Sequence, residues 1–148
     1  MAASTFAAFD PKPKRLGTVI NFIATSAILK GHVVGFAAAG TSWSVQPATG
    51  GTAATGITPI GVALYSQATV GGKVAVACFG SVVKVMNGTD GTSIDAGTHL
   101  VASSTAGMVE AAGATDHIHL GIAMEGDTVG SKTFYMLITG PTYVPTGT

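Results

Sequence analysis

Charge is nearly missing from this chain. Asp, Glu, Lys and Arg make up 9% of its 148 residues, against roughly 25% in an ordinary soluble domain. Ser, Thr, Gly and Ala must then cover the outside, and so neutral a surface is poorly protected against association. The expectation is a protein partly covered by partners. Cysteine is present once, as Cys78, which excludes an internal disulfide and implies no oxidising compartment. No hydrophobic run is long enough to cross a bilayer as a helix, so no membrane partner is expected. No amphipathic period of 3.6 persists over three turns, which argues against helices. The length fits one domain, or two small halves packed closely, with a real core.

The few charges are unevenly placed. Residues 1–84 carry Lys12, Lys14, Arg15, Lys30, Lys73 and Lys84 against Asp10, a net of +5. Residues 85–148 carry Lys132 against Asp90, Asp95, Glu110, Asp116, Glu125 and Asp127, a net of −5. Such halves can satisfy one another within the chain or between subunits. Cations cluster only in "KPKR" (12–15), too few for a phosphate-tracking surface, so no direct nucleic-acid partner is expected. "KPKR" followed by "LGTVINFIATSAIL" imitates a secretory signal, but Asn21, Thr25 and Ser26 dilute the apolar run, and no leader is assigned.

What is abundant is short β-type segments cornered by glycine. "TVINFI", "HVVGF", "KVAVACF", "SVVKVM", "THLVAS", "GMVEAA", "HIHLGIAM" and "KTFYMLI" have strand composition and are separated by turn residues, which makes the class all-β. "KVAVACF" and "KTFYMLI" are apolar at both parities, so both faces of each strand are expected to be covered. "NGTDGT" (87–92) carries tight-turn signals, and "PATGGTAATGITP" (47–59) a flexible loop. The first fifteen residues lack a regular period, and Pro11 and Pro13 hold them extended. They are taken as an N-terminal arm (1–15), residues 16–140 as a single β domain and 141–148 as a short tail.

The stretch "GDTVGSKT" (126–133) differs from a nucleotide-binding loop only by Ser131 in place of the second glycine. A repeat decides its meaning. "IGVALYSQATVGGKVAVACF" from Ile60 and "LGIAMEGDTVGSKTFYMLI" from Leu120 share a strand, a "TVG" turn, a lysine and a second apolar strand. Upstream, "ILKGHVVGFAAAG" parallels "IDAGTHLVASSTAG", with Ile28 opposite Ile94 and Gly31 opposite Gly97. Two copies of one supersecondary unit, over about 26–86 and 92–140, make most of the chain. A phosphate loop must enter a helix; both "TVG(G/S)K" segments run into strand residues, so each is a hairpin turn.

Candidate chemistry is thin. His117 and His119 share one face of a strand and can supply two metal ligands, with His99 or Glu125 as a third; the plainer reading is polar residues on a half-exposed strand. Cys78 sits in an apolar strand, where thiols are inert. "NGT" at Asn87 is first a turn signal. No paired carboxylates and no nucleophile elbow stand out, so an enzyme is not expected and no cofactor is assigned. Trp43 and Tyr143 are possible interface anchors; Trp43 is equally readable as a core plug.

The strings "LKGHVVGF", "PIGVALYSQATVGGKVAVACFGSVVKV", "SIDAGTHLVAS" and "HLGIAMEGDTVGSKTFYMLITG" resemble the capsid decoration, or cement, proteins of tailed viruses. Order and duplication carry the resemblance, over about residues 26–140. It implies a compact β-barrel or β-tulip built from two similar halves, commonly a homotrimer, on the outer capsid surface. It implies no catalysis, and implies the major capsid protein and further copies of itself as partners. The chain would be made in the host cytoplasm and end in the virion, stabilising the head by bridging capsomers. On this reading Phe6, Phe9, Lys12, Lys14 and Arg15 form a capsid-binding arm, aromatics in grooves and cations on acidic groups. Other readings are a tail-tube, fibre or surface-layer module, or a small ligand-binding or metal-dependent barrel.

Overall fold

The computed structural model describes residues 13–37, 43–50, 58–88, 93–113, 118–127 and 132–143. These residues form ten strands: β1 (Val19–Ala24), β2 (Val33–Phe36), β3 (Ser44–Pro47), β4 (Pro59–Ala63), β5 (Lys73–Ala77), β6 (Val82–Met86), β7 (His99–Ala102), β8 (Val109–Ala111), β9 (Ile118–Ala123) and β10 (Thr133–Tyr143). No helix occurs among the described residues, and the fold is all-β. The first five strands form a closed barrel in the order β1-β3-β2-β4-β5; the others form a five-stranded sheet in the order β6-β10-β9-β7-β8.

The sheet repeats the barrel's pairing order strand for strand, as a barrel left open. β4 and β5 pair antiparallel through Val62↔Ala77 and Ala63↔Val76, and β9 and β10 through Ile122↔Leu137 and Ala123↔Met136, the same register with 60 added to each number. Both "TVG" segments therefore join antiparallel strands. From Lys132 the chain enters β10 rather than a helix, while Ser131 lies outside the described residues. β2 meets β4 as Val33↔Val62, and β7 meets β9 as His99↔Ile122. Loop bonds repeat too: Gly31 N–H donates to the Ala63 carbonyl and Gly97 N–H to that of Ala123, each at 2.8 Å. Ile28 and Ile94, matched in sequence, are both buried.

The structural repeat starts one strand earlier than the segments 26–86 and 92–140. β1 against β5 (Val19↔Ala77) has the same place as β6 against β10 (Val82↔Leu137). β6, inside the first sequence segment, thus opens the second unit. "VINFIA" and "VVKVM" share no glycine or turn signal, so only pairing reveals their equivalence. β10 continues to Tyr143, which takes three residues of the assigned tail into the sheet. β1 and β3 close the first barrel in parallel through Ile23↔Ser44 and Ala24↔Val45. In the second unit, the described residues show one parallel bridge at this seam, Asn87↔Val109.

Two cores result. Phe22, Ile28, Val34, Val45, Ile60, Val74, Val76 and Cys78 fill the first barrel. Their counterparts Val85, Ile94, Leu100, Val109, Leu120, Phe134, Met136 and Ile138 fill the second unit, in one cluster with Val33, Ala48, Val62 and Ala77 from the outside of the first. Ile60 and Val62 have the same parity yet face different cores. The β2–β4 register slips between Val34 and Gly35, and such a bulge turns the next side chain to the other face.

The expectation that "KVAVACF" is covered on both sides holds for Ala77, buried against the second unit, but fails at Phe79, which is 64% exposed beyond the strand. In "KTFYMLI" only Phe134, Met136 and Ile138 are buried; Tyr135 and Leu137, on the opposite face, are half-buried.

Gly61 and Gly121 hold equivalent places where strands cross closely. A Cβ on Gly61 would lie 2.2 Å from the Ala77 carbonyl oxygen, and one on Gly121 2.4 Å from that of Leu137. Backbone cannot step aside as a side chain can. Gly121→Ala is expected to cost about 1–3 kcal/mol by overpacking, read as a lower urea midpoint. Gly126→Ala, whose Cβ would meet only the Ile94 oxygen at 3.3 Å, should cost much less.

Candidate interaction surfaces

The two units meet at a joint made by backbone and small side chains. Val33 N–H donates to the Gly107 carbonyl (2.8 Å), Gly107 N–H to that of Ala48 (3.0 Å) and Gly50 N–H to that of Ser103 (3.0 Å). Gly107 lies flat under the His32 ring, where a Cβ would come within 2.4 Å of it. His32 is half-buried, and its Nδ1 accepts the Leu29 N–H at 3.1 Å. Desolvation of the ring lowers its pKa from 6.5 to about 4, as burial does to any group that must gain a charge.

The opposite end of the first barrel is uncovered. Trp43 is 58% exposed and Phe36 50%, with the exposed Ile23 of β1 paired beside them to Ser44. The buried Phe22 ring lies below, 5.8 Å from the Trp43 ring and 6.0 Å edge-on from that of Phe36. Trp43 is therefore no core plug. Its φ of 69° belongs to a turn and carries the indole over the barrel mouth. Ile23 N–H donates to the Trp43 carbonyl at 2.7 Å, which fixes that turn against β1. Left-handed backbone costs a bulky L-residue about 1–2 kcal/mol, so the exposed indole is held in place at some expense.

The base of the arm is tied down. Lys14 and Arg15 N–H groups donate to the Val82 carbonyl (2.9 and 3.3 Å), and Arg15 accepts from Val82 N–H (2.9 Å). Lys14 Nζ lies 4.7 Å from the Tyr135 ring centre, with Lys84 Nζ at 5.7 Å on the same ring. Phe6, Phe9 and Lys12 lie outside the described residues. Tyr143 ends β10 opposite Ile118; its side chain is outside the described set.

Of the candidate metal ligands, the described ones are only partly brought together. His117 lies outside the described residues. His99 and His119 come together with ring centres 5.3 Å apart, but Glu125 accepts the Tyr135 N–H at 3.2 Å, at the far end of β9. Among the described residues no group of three His, Cys, Asp or Glu could hold a metal. Cys78 is buried and free, and desolvation raises its thiol pKa. His32, Ile23 and Phe36 were not singled out in sequence. Each looks like an ordinary strand residue until the partner strand fixes which way it faces.

The arrangement defines a class of molecule: an all-β protein made of a closed five-stranded barrel and an open copy of it. No family model and no curated protein matches the sequence. Among solved structures the chain is similar to the head fiber gp8.5 N base of bacteriophage phi29, with TM-score 0.59 and 15% identity over 86% of this chain and 98% of that one. At that identity the likeness is one of fold.

Two outcomes are expected here. Between pH 6.5 and about 4 the unfolded chain takes up a proton on His32 and the folded chain does not, so stability falls as pH drops through this window and levels off below it. Allowing for the ring's partial solvation, the loss is on the order of 1–2 kcal/mol; urea midpoints against pH should show it, and His32→Asn should flatten that part of the curve. Trp43→Gly removes backbone strain of about 1–2 kcal/mol and an aromatic contact of about 0.5–1.5 kcal/mol, so its melting temperature should stay close to that of the unaltered chain.

Proposed function

We propose that this chain is a structural protein of a viral head, bound to the outer capsid surface as a trimer that bridges capsomers. The observation that carries the reading is the likeness of fold, which spans 98% of a chain described as the base of a phage head fiber. Two features of this molecule support it. Its surface has little charge and carries exposed Trp43 and Phe36, as suits a protein packed against neighbours. The base of its N-terminal segment, Lys14 and Arg15, is pinned to Val82 on β6 of the sheet.

The mechanism is mechanical. Pressure from packaged DNA pulls capsomers apart, and a trimer holding three of them must be released from each before they separate. Joining three modest contacts makes the later ones intramolecular, so avidity exceeds single-site affinity by orders of magnitude. The arm supplies one contact per copy: Phe6 and Phe9 enter grooves on the shell while Lys12 meets acidic groups. Ordering it costs conformational entropy that those contacts must exceed.

The arm can be tested without disturbing the fold. Deleting residues 1–12 spares the Lys14 and Arg15 bonds to Val82, so the melting temperature should hold. Co-sedimentation with expanded empty heads should then fall at least roughly tenfold. Undiminished occupancy by the shortened chain would remove the arm from the mechanism. Failure of the full chain to sediment with heads would remove the capsid.

A further inference from the structure

The internal repeat makes the two barrels comparable residue by residue, and the joint uses a different face of each. On the first barrel the joint takes the outward face around His32, Val33, Ala48 and Val62. On the second it takes the β7–β8 end at Gly107. Each barrel also owns the face its twin uses. Ser103 N–H donates to the Met108 carbonyl as Ala37 N–H does to that of Ser44, so Trp43 stands where the second unit has Gly107. Both have positive φ, 69° and 82°. Likewise Ala123 N–H donates to the Thr98 carbonyl as Ala63 N–H does to that of His32, so Thr98 stands where the first barrel has His32. In the first barrel the β2–β3 end is uncovered at Trp43 and Phe36; in the second the outward face is open at His99, with Ile122 half-buried.

We propose that copies of this chain join head to tail, the Trp43 end of one copy's first barrel seating on the Thr98–His99–Ile122 face of the next copy's second barrel. The contact uses between copies the same two kinds of face as the joint within each, but through side chains, because the Trp43 carbonyl already accepts the Ile23 N–H. It rests on the self-association in the function proposed above and not on the capsid.

Three observations select a second copy as the occupant. Sizes are exchanged across the two contacts: within the chain a large His32 ring lies on Gly107, and between copies the small Thr98 faces the large Trp43. Charge is complementary as well. The first barrel itself carries Lys30 and Lys73, with Lys73 opposite Ile23 on β1, whereas every acidic residue but Asp10 lies beyond residue 85, and the Asp95 carbonyl accepts the Thr98 N–H, so the contact sets a basic edge against an acidic one. Finally, Trp43 holds a backbone conformation that glycine occupies in its twin. Strain kept under an exposed indole points to use of that indole. A contact between unlike faces closes into a ring when its rotation allows, and three copies give the trimer; otherwise it runs on as a filament.

Unlike faces allow a complementation test in solution with no capsid present. Trp43→Gly spoils one face and Thr98→Arg the other, leaving each variant one good face. In analytical ultracentrifugation the unaltered full chain should associate, and each variant alone should do so at least roughly tenfold more weakly. An equimolar mixture should form a one-to-one dimer and nothing larger. Circular dichroism checks that both are folded; if Thr98→Arg is not, His99→Glu marks the same face. A monomeric unaltered chain, variants that associate like it, or a mixture that stays monomeric would each overturn the proposal. Loss of head binding in the arm-deleted chain would leave these results untouched, so the two failures can be told apart.

Discussion

The molecule depends on where one carbonyl points. In the first barrel the carbonyl of Trp43 accepts the Ile23 N–H and helps close the seam between β1 and β3. At the equivalent place in the second unit, the Gly107 carbonyl accepts the N–H of Val33 from the other barrel. Among the described residues the second seam has one parallel bridge, and the core behind it is continuous with the first barrel's outer face. Val33 and Val62 are fully buried there, each contributing about 1.5–3 kcal/mol relative to exposure. Backbone pairing sets the direction of the joint and apolar burial holds it, so the two barrels form one body.

This asymmetry gives a duplicated chain two different free faces. A repeat whose units packed by like faces would cover the same surface twice. Here one unit supplies its end and the other its side, and an aromatic end and a histidine-bearing side are left over. On the proposed reading, these faces and the arm divide the work: copies hold one another through the barrels, and the shell is held through residues 1–12. The scarcity of charge follows, since each desolvated charge on such faces would need a partner.

The class, the duplication and the hairpin nature of both "TVG" turns were legible in the sequence. Glycines mark the corners, and the strand after each turn keeps its β-branched and aromatic residues. The phase of the repeat was not. β1 and β6 are matched only by their partners, Ala77 and Leu137. The covering of strand faces was half legible, because the parity of "KVAVACF" shows an apolar face but not whether anything lies on it. Trp43 was ambiguous for the same reason: serines on either side fit a core strand as well as a turn. His32 gave no signal, since its role comes from Gly107, far along the chain. Phe6, Phe9, Lys12 and His117 lie outside the described residues.

The most direct measurement is a cryo-electron reconstruction of particles that carry this chain. The account predicts paired barrels on the outer surface at three-fold positions, the Trp43 end of each copy covered by the His99 face of its neighbour and residues 1–12 lying along the shell. Density inside the head or along a tail tube, or copies touching through like faces, would contradict it.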